Sequence, residues 1–218
     1  MSESSLPPAL RHAMVGSLEP VTPIGSPTRR AARFALVCAG LLGLVPLVWG
    51  TSHRFLPPEL LGAGWVLQTA TAVLVLTAAI RESMPGRLLS PLQLGAVLLA
   101  VVLVQAFWTA GWFAVAPWSP PPRLHARVLR VCLSREYLLG LVPLAIAGAV
   151  LRRGLTQRPA LAGGLAGLAA GLGVESSWRV YCAVTTPGHT LAGHMGAIVL
   201  LTATGALGGR LLGRRSSV

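Results

Sequence analysis

Long uninterrupted apolar stretches run along the chain, separated by short connections rich in arginine and proline. They lie at 34–49, 60–80 and 92–116, in a fourth stretch that ends at 150, and at 160–175 and 191–207. Crossing about 30 Å of hydrocarbon takes about 20 apolar residues in a helix, so the pattern predicts six membrane-spanning helices. Barrel strands would alternate apolar and polar positions, and these runs do not. Backbone in lipid must satisfy its own hydrogen bonds, which leaves helices. The predicted fold class is all-α: a polytopic membrane protein of six transmembrane helices.

The fourth stretch departs from the simple scheme, because only 137–150 is purely apolar. A helix long enough to cross must begin earlier and take in Cys132, Arg135 and Glu136, and the prolines at 120–122 suit its first turn. An adjacent Arg and Glu then lie in or near an interface, where charges are functional candidates or snorkel to headgroup water. Gly163, Gly167 and Gly171 in the fifth run, and Gly205, Gly209 and Gly213 in the sixth, recur every four residues. Each set forms one small-residue stripe on which helices are expected to pack closely. Gln68 and Gln105 fall inside spans and are expected to hydrogen-bond across helices. Glu175 and Arg179, four apart, are expected to pair as a support at a helix end.

Composition agrees with a membrane protein and excludes an ordinary soluble domain: 53% of the 218 residues are hydrophobic and 11% charged. The formal charge of +12 comes from arginine alone, without lysine. These arginines flank apolar runs instead of covering one face of a module, so direct nucleic-acid binding is not expected. They read as topology signals. With six spans both termini share one side, and placing that side in the cytoplasm puts twelve arginines inside and six outside. Trp49, Trp65, Trp108, Trp112, Trp118 and Trp178 then all fall near outer helix ends, as an interfacial aromatic belt. The expected organisation is a cytoplasmic N-terminal segment at 1–33, a transmembrane bundle at 34–209 and a cytoplasmic basic tail at 210–218. The first 33 residues lack the short apolar core and small-residue cleavage site of a signal peptide, and are read as mature sequence.

That N-terminal segment is too short for a core of its own and must borrow structure from a partner. Residues 6–18 suit a short helix that opens near Pro7 and Pro8 and ends before Pro20. Leu10, Met14 and Leu18 recur every four residues, the anchor pattern of a helix that docks in a groove. Arg11, Glu19 and Pro20 complete the candidate partner-binding set. A peripheral helix on the inner leaflet is the competing reading.

Reactive side chains gather at the predicted outer face: Cys132, Cys182, His189 and His194, with His53 and His125 on the same side. Two thiols in an oxidising compartment can form a disulfide if their Cα atoms come close enough. Cys132, Cys182, His189 and His194 can instead bind metal, although their spacing is looser than a compact zinc motif. Buried cysteine also serves as a small hydrophobe, the role expected of Cys38 inside the first run. No nucleophile with a base, phosphate-binding loop or paired acid motif appears, so neither an enzyme nor a cofactor is expected.

Several blocks resemble a known family. Leu18-Glu19-Pro20-Val21-Thr22-Pro23, then Ser26-Pro27 and the following arginines, look like its cytoplasmic lead-in. Cys132 with Glu136, followed by Leu141-Val142-Pro143-Leu144, looks like its fourth-span signature. Arg152-Arg153-Gly154, Arg158-Pro159-Ala160, the glycines from 163 to 173, Tyr181-Cys182, His194 and the closing Gly-Gly-Arg and Gly-Arg-Arg complete the likeness. The chain thus resembles, over nearly its whole length, the NrsF-like six-helix membrane anti-sigma factors, with CarR-like negative regulators of extracytoplasmic-function sigma factors among them. The resemblance implies a protein of the bacterial inner membrane, in contact with lipid, that captures such a sigma factor through its N-terminal segment. It implies that Cys132, Cys182, Glu136 and His194 take the places associated with sensing the releasing stimulus, whether metal, oxidative or light stress. A membrane protease or regulatory membrane partner would be a further implied contact. The chain departs from the family after Cys182, where Ala183-Val184 and Thr185-Thr186-Pro187-Gly188 replace a Pro-Glu pair and an aromatic-rich stretch. The alternative function is a small transporter or metal-handling protein using the outer Cys and His residues.

Overall fold

A computed structural model describes residues 26–49, 58–84, 86–115, 122–152, 156–182, 184 and 186–215. The partner-binding candidates Leu10, Arg11, Met14, Leu18, Glu19 and Pro20 lie outside the described residues, as do His53 and the Cys38 side chain.

Proline sets where each helix begins. The rods are α1 (Pro27–Trp49), α2 (Pro58–Glu82), α3 (Pro91–Val115), α4 (Pro122–Leu151), α5 (Pro159–Tyr181) and a final composite rod. That last rod starts with the single turn α6 (Pro187–His189), continues through a π-helical segment (Thr190–Met195) and ends as α7 (Gly196–Arg215). A proline at the first helical position loses nothing, since its missing N–H would have no intrahelical acceptor there. Side chains just ahead of it supply caps. Ser26 Oγ accepts from Arg29 N–H, and Thr186 Oγ1 accepts from His189 N–H. Ser90 Oγ accepts from Gln93 N–H at 3.2 Å while Gln93 Oε1 accepts from Ser90 N–H at 3.1 Å, a reciprocal capping box. Between α2 and α3 the chain turns through Gly86 at φ 75°, a left-handed conformation that glycine adopts without steric cost.

Among the described residues there are helices and no strands, as the apolar runs predict. The expectation of six membrane-spanning helices is corrected to four. Leu61–Glu82, Pro91–Gly111, His125–Leu151 and Pro187–Gly213 are long and apolar enough to cross a membrane by length and composition. α5 does not qualify, because glycine and alanine dominate it and its second half carries Glu175, Ser176, Ser177 and Arg179. α1 opens on Arg29, Arg30 and Arg33, and several of its side chains fall outside the described residues. The early start of the fourth helix is as expected, with α4 beginning at Pro122 and including Cys132 and Glu136.

α5 is the axis of the bundle. It packs most extensively against α7, then against α2, and also touches α4 and α1. From Ala169 through Arg179 every residue is buried. The seam with α7 is made by the glycine stripes. A Cβ on Gly163 would stand 2.1 Å from the Gly205 carbonyl oxygen, one on Gly167 2.1 Å from that of Leu201, and one on Gly209 2.1 Å from that of Pro159. Only hydrogen leaves room for such backbone contact. α3 is the opposite case: it packs chiefly on α2, and only 11% of its apolar window lies inside the protein. The main apolar core, with Phe34, Leu76, Ile80, Leu165 and Leu172, joins α1, α2 and α5. A smaller cluster of Val45, Cys132, Trp178, Cys182 and Val184 occupies one end of the bundle.

Two details of the expected side-chain arrangement are corrected. Trp108 and Trp178 are fully buried inside the bundle, so they do not stand in an interfacial belt. The Trp49, Trp112 and Trp118 side chains lie outside the described residues. The amides of Gln68 and Gln105 are buried but find no hydrogen-bond partner among the described residues, so they do not bridge helices there.

Candidate functional site

One group of buried polar side chains gathers at the end where α4 begins and α5 stops, whereas Glu82 and Ser83 are buried at the other end. On α4, Cys132 and Glu136 are four apart and so share a face. On α5, Glu175, Trp178, Arg179 and Cys182 follow at spacings of three and four, and Cys182 closes the helix by donating its N–H to the Trp178 carbonyl at 2.8 Å. The third contribution comes from the composite rod, where Thr186 caps a turn that places His189 and the π-helical segment places His194.

These three segments bring the two thiols together. Cys132 Sγ lies 3.6 Å from Cys182 Sγ, and both cysteines are free thiols. Cys182 Sγ also lies 3.2 Å from His189 Nε2. The donor atoms of Cys132, Cys182 and His189 all fall within 4.8 Å of one another, and all three residues are buried. His194 lies one step away. Its ring is 5.2 Å from that of His189, centroid to centroid, and its Nδ1 approaches Glu136 Oε2 to 3.0 Å. That approach has the distance of an ion pair without the angles of a hydrogen bond. His125 stands farther out, its ring 6.2 Å from His189 and edge-on to it.

Behind this cluster sits a buried ion pair. Arg179 donates to Glu175 on the same face of α5, and its guanidinium lies 5.9 Å from the Trp108 ring centroid. The pairing matches the four-residue spacing, but the burial of both partners makes it an interior contact. Taking two charges out of water is costly, and only pairing makes it tolerable. Ser176 and Ser177 turn their hydroxyls back to the Gly173 carbonyl and so need nothing from neighbouring helices.

A family model described as the negative regulator of sigma F, NrsF, matches residues 14–214. The chain belongs to the NrsF family. No curated protein and no solved structure matches it. As an NrsF-family member the chain is a negative regulator of a sigma factor.

Of the candidate sensing residues of this NrsF-family chain, the structure brings Cys132 next to Cys182 and Glu136 next to His194. Sequence spacing offered His189 and His194 as equals, whereas the geometry separates them: His189 joins the thiols and His194 joins the carboxylate. The burial of Trp108 and Trp178 at this end was missed. For Trp178 a signal existed, since it stands four residues before Cys182 and therefore on the same face.

Proposed function

We propose that the chain is a multi-pass protein of the bacterial inner membrane that holds an extracytoplasmic-function sigma factor away from RNA polymerase. Both termini face the cytoplasm, a reading supported by the excess of arginine on that side. Leu10, Met14 and Leu18 anchor the sigma factor through one apolar stripe, with Arg11, Glu19 and Pro20 shaping specificity. Cys132, Cys182, Glu136 and His194 form the sensing element on the outer side. A metal, oxidative or light-derived stimulus there alters the junction of α4, α5 and the composite rod, and the sigma factor is released by the conformational change or by a membrane protease.

The observation that carries this reading is the family match across residues 14–214, which takes in both the end of the N-terminal stripe and every candidate sensing residue. The experiment is co-purification of the full-length protein, in detergent, with the co-encoded sigma factor. Leu10→Glu combined with Met14→Glu should abolish capture while the protein stays helical and membrane-inserted. Capture that survives both charges would refute the anchor assignment, and absence of capture by the unaltered protein would refute the function.

A further inference from the structure

We propose that Cys132, Cys182 and His189 form a three-donor site for a soft divalent cation of the zinc and cadmium class. The inference rests on the proposed sensing role of this cluster only for its biological consequence; the site itself follows from geometry and charge.

The distances suit such an ion. With metal–sulfur bonds of about 2.3 Å and metal–nitrogen bonds of about 2.0–2.1 Å, tetrahedral angles separate two sulfurs by about 3.8 Å and a sulfur from a nitrogen by about 3.5 Å. The observed separations are 3.6 Å for Cys132 Sγ to Cys182 Sγ and 3.2 Å for Cys182 Sγ to His189 Nε2. Adjustments of a few tenths of an ångström therefore suit these two separations, while Cys132 Sγ and the His189 donor, which lie within 4.8 Å of each other, close toward about 3.5 Å when the ion binds. A buried thiol pair alone would be ordinary packing. The imidazole is what changes the reading, because His189 is fully buried, turns Nε2 to the sulfur and has no hydrogen-bond partner for Nδ1 among the described residues.

Charge selects the valence. A bound ion requires both thiols to give up their protons while the imidazole stays neutral. Two thiolates and one divalent cation sum to zero, so the loaded site adds no net charge to a buried environment. A monovalent ion would leave one negative charge there, at high cost. Thiolate and imidazole donors favour zinc-like ions over magnesium, calcium or manganese. Three protein donors leave a fourth corner for water or an incoming ligand.

The π-helical segment explains why both histidines reach this end. In an α-helix each residue turns about 100°, so residues five apart point about 140° away from each other. The wider π turn, bonded from i to i+5, brings residues five apart closer to one face. His189 and His194 are five apart, and their rings stand 5.2 Å from each other. Loading His189 with metal thus ties the composite rod to α4 and α5 at once, next to the His194–Glu136 contact.

The test is a Co²⁺ titration of the full-length protein, purified in detergent, reduced and kept anaerobic. The site should give one equivalent of Co²⁺ with a near-ultraviolet sulfur-to-cobalt charge-transfer band and the intense visible bands of tetrahedral coordination, both displaced by Zn²⁺ or Cd²⁺. Cys132→Ser and Cys182→Ser should each abolish the charge-transfer signal of the pair. His189→Gln should weaken binding by more than about 100-fold, beyond the loss expected from removing a group that merely supports a ligand. His194→Gln should retain the band, and circular dichroism should show every variant as helical as the parent. Absence of the band in the reduced parent, or full affinity in His189→Gln, would overturn the site. Because the titration contains no sigma factor, metal binding without sigma capture would sink the proposed function alone, and capture without metal binding would sink the site alone.

Discussion

Replacing Gly163 by alanine probes the contact on which the bundle axis depends. A Cβ at 163 would stand 2.1 Å from the Gly205 carbonyl oxygen, whereas ordinary contact begins at 3.4 Å, so α5 and α7 must part by about 1.3 Å. A gap of about 0.5–1 Å already forfeits roughly a quarter to a half of the dispersion attraction between facing atoms. Overfilling a packed interior in this way costs about 1–3 kcal/mol, occasionally more. Alanine returns at most about 1 kcal/mol of helix propensity, so a net loss of about 1–2 kcal/mol is expected. The matched control is Gly208→Ala, on α7 but with nothing among the described residues within 4 Å of the added methyl. It should be neutral or gain up to about 1 kcal/mol. Denaturant titration of the full-length protein in micelles, followed by tryptophan fluorescence, measures both. Equal stabilities for the two variants would refute the close-contact argument, and so would a Gly208→Ala loss as large as that of Gly163→Ala.

Arg179→Ala should destabilise by about 3–5 kcal/mol, because it leaves Glu175 buried without its guanidinium. Arg179→Met with Glu175→Gln should recover much of that loss in the same unfolding assay, whereas a double variant no better than the single one would count against a charge origin. At the other end of the bundle, buried Glu82 Oε1 accepts the Leu89 N–H at 2.7 Å, with the Arg158 guanidinium 3.8 Å from the other oxygen. Glu82→Ala should cost about 1–3 kcal/mol by stranding that N–H, and Glu82→Gln should cost less because an acceptor remains; equal losses would mean that charge, not the hydrogen bond, is what matters. Tyr137→Phe removes the 3.0 Å contact between Tyr137 Oη and Thr204 Oγ1 that links α4 to α7, and its thermal unfolding should report a loss of about 0.5–1.5 kcal/mol. No change there would show that water or lipid headgroups replace the bond fully.

The helical fold was legible because apolar run length and proline punctuation are properties of the chain taken one stretch at a time. The glycine stripes were equally readable, since a four-residue spacing defines a face without knowledge of the neighbour. What spacing does not encode is which neighbour fills that face. Trp108 and Trp178 lie toward the ends of their apolar runs, where an aromatic belt was expected, but their azimuth turns them inward, and position along the run was all that the pattern reported. Gln68 and Gln105 show the same limit: a polar residue within a span invites a partner, and helix packing decided that none of the described side chains would supply one. The membrane count failed at α1 and α5 because an apolar run was read as a span without weighing what the full helix carries: three arginines open α1, and Glu175 and Arg179 lie in the second half of α5. In the site, the four-residue spacing of Cys132 and Glu136 fixed a common face. The roles of His189 and His194 depended on a π turn that hydrophobic periodicity leaves unmarked.

α5 has one more consequence. From Ala169 to Arg179 the rod has protein neighbours for its solvent, and within a bilayer that stretch would be retained by companionship and not by its own partitioning. Such a stretch depends for its surroundings on α7 and α2, the two helices it packs against most extensively. Cutting the chain after α5 should therefore leave α5, still tethered to α4, open to water-soluble labels that the complete protein excludes.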